Sequence, residues 1–222
     1  LGSWGLVLFA ITGSFLVLLS VLFASLRISD SVTVLIVGLM FGFITGAIVS
    51  ILQYFSDPEL IQNFLVWTFG SLSGVTWSQI QVMGPIIGLT LGLSLLYSKQ
   101  MNALLLGDNY ATGVGVNVSR TRTKLILTTS VMAGSITAFT GPIAFIGVAV
   151  PHLTRLLFRT SNHKVLIPAT IMCGVVIMLI CDIVSQVPGA QTTLPLNSVT
   201  ALFGAPVILA IIIKSKKMKG AF

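Results

Sequence analysis

The chain is 222 residues long, 55% hydrophobic and 8% charged, with a mean hydropathy of +1.04. A soluble domain carries roughly 25% charged residues, so this composition excludes a water-covered globular enzyme or nucleic-acid-binding domain and implies an all-α polytopic membrane protein. The net charge of +7 is then a topology signal rather than a sign of affinity for polyanions.

A helix needs about 20 apolar residues to cross the hydrocarbon core, and the uncharged runs supply them in order. Residues 4–26 end at Arg27. Residues 32–56 lie between Asp30 and Asp57 and carry Gly38, Gly42 and Gly46. The uncharged run 60–98 is too long for one span, and Gly70-Ser71-Leu72-Ser73-Gly74 divides it. A short extramembrane helix is expected first, then a span at about 81–98 holding Gly84, Gly88 and Gly92. Spacing of four puts each glycine set on one helix face, where backbones can approach closely; the face serves either packing within the subunit or a subunit contact or pathway lining.

Residues 99–124 form a polar connection. Asp108 after Gly107 offers a helix N-cap, Gly113 and Gly115 permit a reversal, and Asn117 can cap a further helix. Two short helices joined by a glycine turn are expected, which would shelter Leu104, Leu105, Leu106 and Val114. The run 125–154 is split by Thr140-Gly141-Pro142 into two spans, and 165–187 and 195–213 complete the set. This makes about seven spanning helices, since runs this long and unalternating favour helices over barrel strands.

If these spans alternate, all twelve Lys and Arg residues, from Arg27 to Lys219, fall on one side, while the other side has Asp57 and Glu59 and no basic residue. The positive-inside rule places the first side, with the C-terminus, in the cytoplasm. The chain starts at Leu1, directly at a span, which reads as a fragment lacking N-terminal helices. Cys173 and Cys181 share a predicted helix about 12 Å apart, too far for a disulfide. There is no Gly-x-x-x-x-Gly-Lys-Ser/Thr phosphate loop, and His152 and His163 have no partners at metal-ligand spacing. No metal site, cofactor or catalytic residue is expected. Asp182 is the one acid inside a predicted span, a functional candidate by default, expected near the outer end with backbone or hydroxyl donors.

The stretch from Gly141-Pro142 through Gly147 to Pro151-His152, with Leu106-Gly107-Asp108 upstream and Gly204-Ala205-Pro206 downstream, resembles the permease subunits of ABC importers for iron-siderophore, haem and cobalamin uptake. The resemblance covers essentially the whole chain, as helices four to ten of a ten-helix permease. It implies one permease domain over 1–222 in the bacterial cytoplasmic membrane, with 99–124 as its ATPase-coupling loop and Leu106, Gly107, Asp108, Ala111, Gly115 and Val116 as the docking element. A second permease subunit forming a homodimer, two ABC ATPases that bind ATP-Mg, and a periplasmic or lipid-anchored binding protein are the implied partners besides lipid. The start of the second span at Ser31 and residues 57–74 are implied gates. The chain departs from the family pattern at Ala144, Gln186, Thr193 and Asn197. Gln186 stands where family members often carry an arginine, which the resemblance implies would pair with acidic residues of the binding protein. An ATPase-independent transporter or channel is the alternative; it would want paired intramembrane charges, and Asp182 is the sole one.

Overall fold

The computed structural model describes residues 3–27, 31–186 and 193–219. Among them the chain is all helix, with ten helices and no strand. α1 (Ser3–Arg27) and α2 (Ser31–Tyr54) lead to a short helix, α3 (Pro58–Thr68), which has proline at its start and Glu59 in its first turn. Both suit a helix N-terminus, where a missing N–H is harmless and negative charge meets the dipole. α4 (Trp77–Leu96) begins where Gln79 Oε1 accepts from the Thr76 N–H at 2.8 Å. α5 (Ser98–Leu104) and α6 (Asp108–Gly113) are short. α7 (Val118–Thr140), α8 (Ile146–Phe158), α9 (His163–Ser185) and α10 (Leu196–Lys219) follow.

The seven longer helices, α1, α2, α4, α7, α8, α9 and α10, coincide with the seven predicted runs. Among the described residues three stretches are long and apolar enough to cross a membrane: Ile36–Tyr54, Trp77–Leu96 and His163–Ser185. α7 is long but less apolar. It starts seven residues before the predicted span, taking in Arg120, Arg122 and Lys124, and it buries Thr121, Thr128, Ser130, Ser135 and Thr140. Those hydroxyls are not orphaned: Thr128 and Ser130 donate to the carbonyls of Lys124 and Ile126, each at 2.8 Å.

α7 packs against α1 and α4, while α8, α9 and α10 form a second group that α9 joins to α4 and α5. The α1–α7 seam is close. Ser14 Oγ donates to the Ser130 carbonyl at 2.8 Å, and a Cβ on Gly134 would sit 2.8 Å from the Ile11 backbone. In the second group Cys181, Leu196 and Val199 are buried, with Leu72, Ile143, Ile177 and Met178 against them. Both cysteines are free, Cys181 buried and Cys173 half-buried.

α8 has 13 residues, about 20 Å of rise, which is short of a roughly 30 Å hydrocarbon core. The non-helical residues 141–145 lead into it. Irregular backbone at membrane depth survives only when protein covers it, and here the end of α3 and the start of α10 do so.

Candidate functional site

Two polar centres stand at opposite ends of α9. On the basic side, α5 and α6 form a knob within residues 99–124, but not from the expected pair of short helices: the turn at Gly113 and Gly115 joins α6 to the long α7, and α5, joined to α6 through Gly107, comes in addition. Gly107 has φ 100 and ψ 158, a region that is essentially glycine-only, and Gly115 has φ 84. The Val116 N–H closes the turn on the Ala111 carbonyl at 2.9 Å, over a fully buried Ala111. Gly113 is the last residue of α6 and needs no positive φ.

The carboxylate of Asp108 does not cap α6. Gly107 occupies the cap position, and Asp108 instead accepts two bonds from Arg122 Nη2 at 3.0 and 2.9 Å. The expected cap on α7 forms, with Asn117 Oδ1 accepting from the Arg120 N–H at 3.0 Å. Nor does the knob shelter its apolar residues. Leu104 is half-buried, but Leu105, Leu106, Tyr110 and Val114 are all about half exposed or more, Leu106 at 65%. Their presence together on a polar loop leaves an apolar surface without a partner among the described residues.

A cluster that sequence reasoning missed fastens the knob to α9. Asn102 Oδ1, from α5, accepts from both the backbone N–H and Nδ1 of His163, each at 2.8 Å. Asn102 Nδ2 donates to Asn162 Oδ1 at 2.8 Å, and that oxygen also caps α9 by accepting from the Lys164 N–H at 3.1 Å. An amide oxygen only accepts, so His163 Nδ1 carries the proton. The signal in the sequence was slight: Asn162 before an apolar run marks a helix start, but nothing local pairs it with Asn102.

On the other side, three segments knot together. The Ser71 N–H donates to the Thr140 carbonyl at 2.9 Å, and the Asn197 N–H to the Phe69 carbonyl at 2.9 Å. Asn197 Oδ1 accepts from the Ala144 N–H at 3.0 Å. Thus two of the departures noted in the sequence, Ala144 and Asn197, contact each other. Gly141, at φ 74 and ψ 178, packs against the Trp67 carbonyl and Gly70; any Cβ there would strike backbone. Pro142 offers its carbonyl beside Gly70. Phe145 adopts a left-handed φ of 66, and Gly204 makes room for it, since a Cβ on Gly204 would lie 2.6 Å from that of Phe145.

The remaining candidates are spread out. A Cβ on Gly147 would meet no neighbouring element within 4 Å among the described residues, Pro151 lies inside α8, and the exposed His152 donates from Nδ1 to the Val148 carbonyl at 2.8 Å. Pro206 is exposed within α10. Gly38, Gly42, Gly46, Gly84, Gly88 and Gly92 likewise have no heavy atom within 4 Å of a Cβ position. The ladders therefore make no close helix contact within the described chain. Ser31 opens α2, but its side chain lies outside the described residues, as does the segment from Pro188 to Thr192.

Asp182 lines a cleft of about 180 Å³ with Ser71, Ser73, Ser185, Thr193 and Leu194. Its carboxylate accepts from Gln186 Nε2 at 2.8 Å. The partner is thus a side-chain amide, not the backbone or hydroxyl donor expected. Among the described residues no three His, Cys, Asp or Glu side chains come together.

The model of the FecCD transport family matches residues 1–214. The hemin transport system permease protein HmuU of Yersinia pestis is 33% identical over 185 residues, covering 83% of this chain and 55% of that protein. The vitamin B12 import system permease protein BtuC of Vibrio cholerae is 31% identical over 201 residues, 90% of this chain and 60% of that one. BtuC of Citrobacter koseri is 33% identical over 218 residues, 98% and 65%. A solved structure of a metal-chelate type ABC transporter in an inward-facing conformation superposes with a TM-score of 0.78 at 28% identity, covering 89% of this chain and 63% of that one. The chain thus spans less than two thirds of the length of each of these.

Proposed function

Because the chain belongs to the FecCD transport family, we propose that it forms the larger part of a membrane-spanning permease in an ATP-driven importer. The cargo would be an iron chelate (siderophore or haem) or cobalamin. That choice rests on the hemin and vitamin B12 named for its relatives and on the metal-chelate description of the structural neighbour. In this reading the chain is a translocation subunit in the bacterial cytoplasmic membrane, with residues 99–124 inside a single permease domain and the C-terminus cytoplasmic. Two separate ATPase subunits bind ATP-Mg, a second permease copy completes the pathway, and a periplasmic or lipid-anchored binding protein delivers cargo.

The observation that carries the ATPase part is the knob. Leu105, Leu106, Tyr110 and Val114 are exposed on a rigid turn fixed by Gly107 and Gly115, on the side that holds the basic residues. A solvent-facing apolar group ringed by polar residues marks a protein interaction site. Motion of a docked ATPase would pull on this knob and alternate the access of the pathway.

The test is co-purification of the full-length permease with its ATPase in detergent. Leu106→Glu and Val114→Glu change exposed positions, so the permease should stay folded and the ATPase should be released. Retention of both the ATPase and transport by these variants would sink the reading.

A further inference from the structure

The knob touches the rest of the molecule through two polar joints, and they differ in strength. One is the Asp108–Arg122 pair to α7, whose side chains are 52% and 44% exposed. An ion pair that open is worth little and is screened by salt. The other is the Asn102 cluster, where His163 is buried. There Asn102 completes the N-terminus of α9 from outside the helix: it takes the His163 N–H, a group that a helix start leaves without an internal partner, while Asn162 takes that of Lys164.

From that joint α9 runs 23 residues, about 34 Å, to the opposite centre. Its last turn supplies Asp182 and Ser185 to the outer cleft, and the Ser185 carbonyl accepts from the Leu194 N–H at 2.8 Å, tying α9 to the approach of α10. One helix therefore carries the knob at one end and the cleft at the other.

We propose that Asn102 is a positioning residue for transport: its amide bonds to Asn162 and His163 couple displacement of the α5–α6 knob, through α9, to the outer cleft at Asp182. This rests on the importer reading, since it assumes an ATPase that moves the knob. Coupling needs evidence that both ends bias one element, so the test reads the far end while acting on the near one.

The experiment uses the full-length permease assembled with its ATPase and carrying Ser73→Cys in the outer cleft. An impermeant maleimide reports cleft accessibility with and without ATP-vanadate. With Asn102 intact, the labelling rate should change with nucleotide. In Asn102→Ala the nucleotide effect should fall about tenfold, a usual size for coupling between sites, while the ATPase still co-purifies. Asn102→Asp keeps an acceptor for both His163 groups but loses the Nδ2 donor to Asn162, so it should restore only part of the effect.

A merely structural role would alter yield and labelling equally in both nucleotide states. Should Asn102→Ala fail to assemble, Asn162→Ser retains an oxygen to cap α9 but not the amide link, and should weaken the response without removing the helix cap. An unchanged nucleotide effect in assembled Asn102→Ala or Asn162→Ser, or no effect with Asn102 intact, overturns the proposal. Absence of any ATPase from the unmodified complex is a distinct result, which removes the importer reading and this inference with it.

Discussion

Four glycine environments separate what spacing tells from what packing decides. The ladders through Gly42 and Gly88 were the conspicuous pattern in the sequence, yet among the described residues no neighbouring element comes within 4 Å of a Cβ there. Gly134, with no glycine a turn away, is where α7 meets the α1 backbone. Periodicity names a face but not what lies across it, so that contact was illegible. Gly107 and Gly141 share the glycine-only backbone region, but only Gly141 also abuts backbone. Gly107→Ala should therefore lower stability by about 1–3 kcal/mol and Gly141→Ala by more, whereas Gly42→Ala should lower it not at all. Thermal unfolding in detergent ranks the three, and a fall for Gly42→Ala equal to that for Gly107→Ala would contradict the ranking. Gly134→Leu should prise α1 from α7, seen as loss of monodisperse protein by size exclusion.

Helix identities were legible because charge, or glycine and proline punctuation, bounds each run, and helix ends were less so. The predicted span at 125 begins at Val118 because Asn117 caps the chain there, extending a helix whose first turns are basic and polar. Removing that cap with Asn117→Ala should cost about 1 kcal/mol, measurable as a lower midpoint of thermal unfolding. The Asp108 prediction failed for a related reason: a carboxylate next to a helix start was read locally, while Arg122, fourteen residues on, lay within reach. A double-mutant cycle on Asp108→Asn and Arg122→Gln should give a coupling below about 1 kcal/mol, and less still in high salt. A coupling of several kcal/mol would make that pair, not Asn102, the firm joint of the knob. The break at Gly141-Pro142 was visible as sequence punctuation; the left-handed Phe145 that starts α8 was not, because its room is provided by Gly204, far along the chain.

For the molecule as a whole, charge segregation was the most legible property, since it depends only on order along the chain. It predicts that Asp57 and Ser73 face outward while Thr112 faces the cytoplasm. In intact cells an impermeant maleimide should label Ser73→Cys, and it should label Thr112→Cys only after permeabilisation. Labelling of both from outside would overturn the topology. What order could not reveal is which elements meet, because hydrogen bonds such as Asn102 to His163 and Ala144 to Asn197 span 61 and 53 residues.

The knot at the end of α9 away from the basic residues has a mechanical consequence. Residues 69–71 at the end of α3, residues 140–144 and Asn197 at the head of α10 exchange three hydrogen bonds, two of them backbone to backbone. Each contributes about 0.5–1.5 kcal/mol, and breaking one away from water leaves a polar group unmet at further cost. These segments are thus tied to one another by bonds that resist their separation. Any displacement that keeps the bonds must carry the segments together, turning on the bends at residues 55–57 and 72–76 rather than parting α3 from α10.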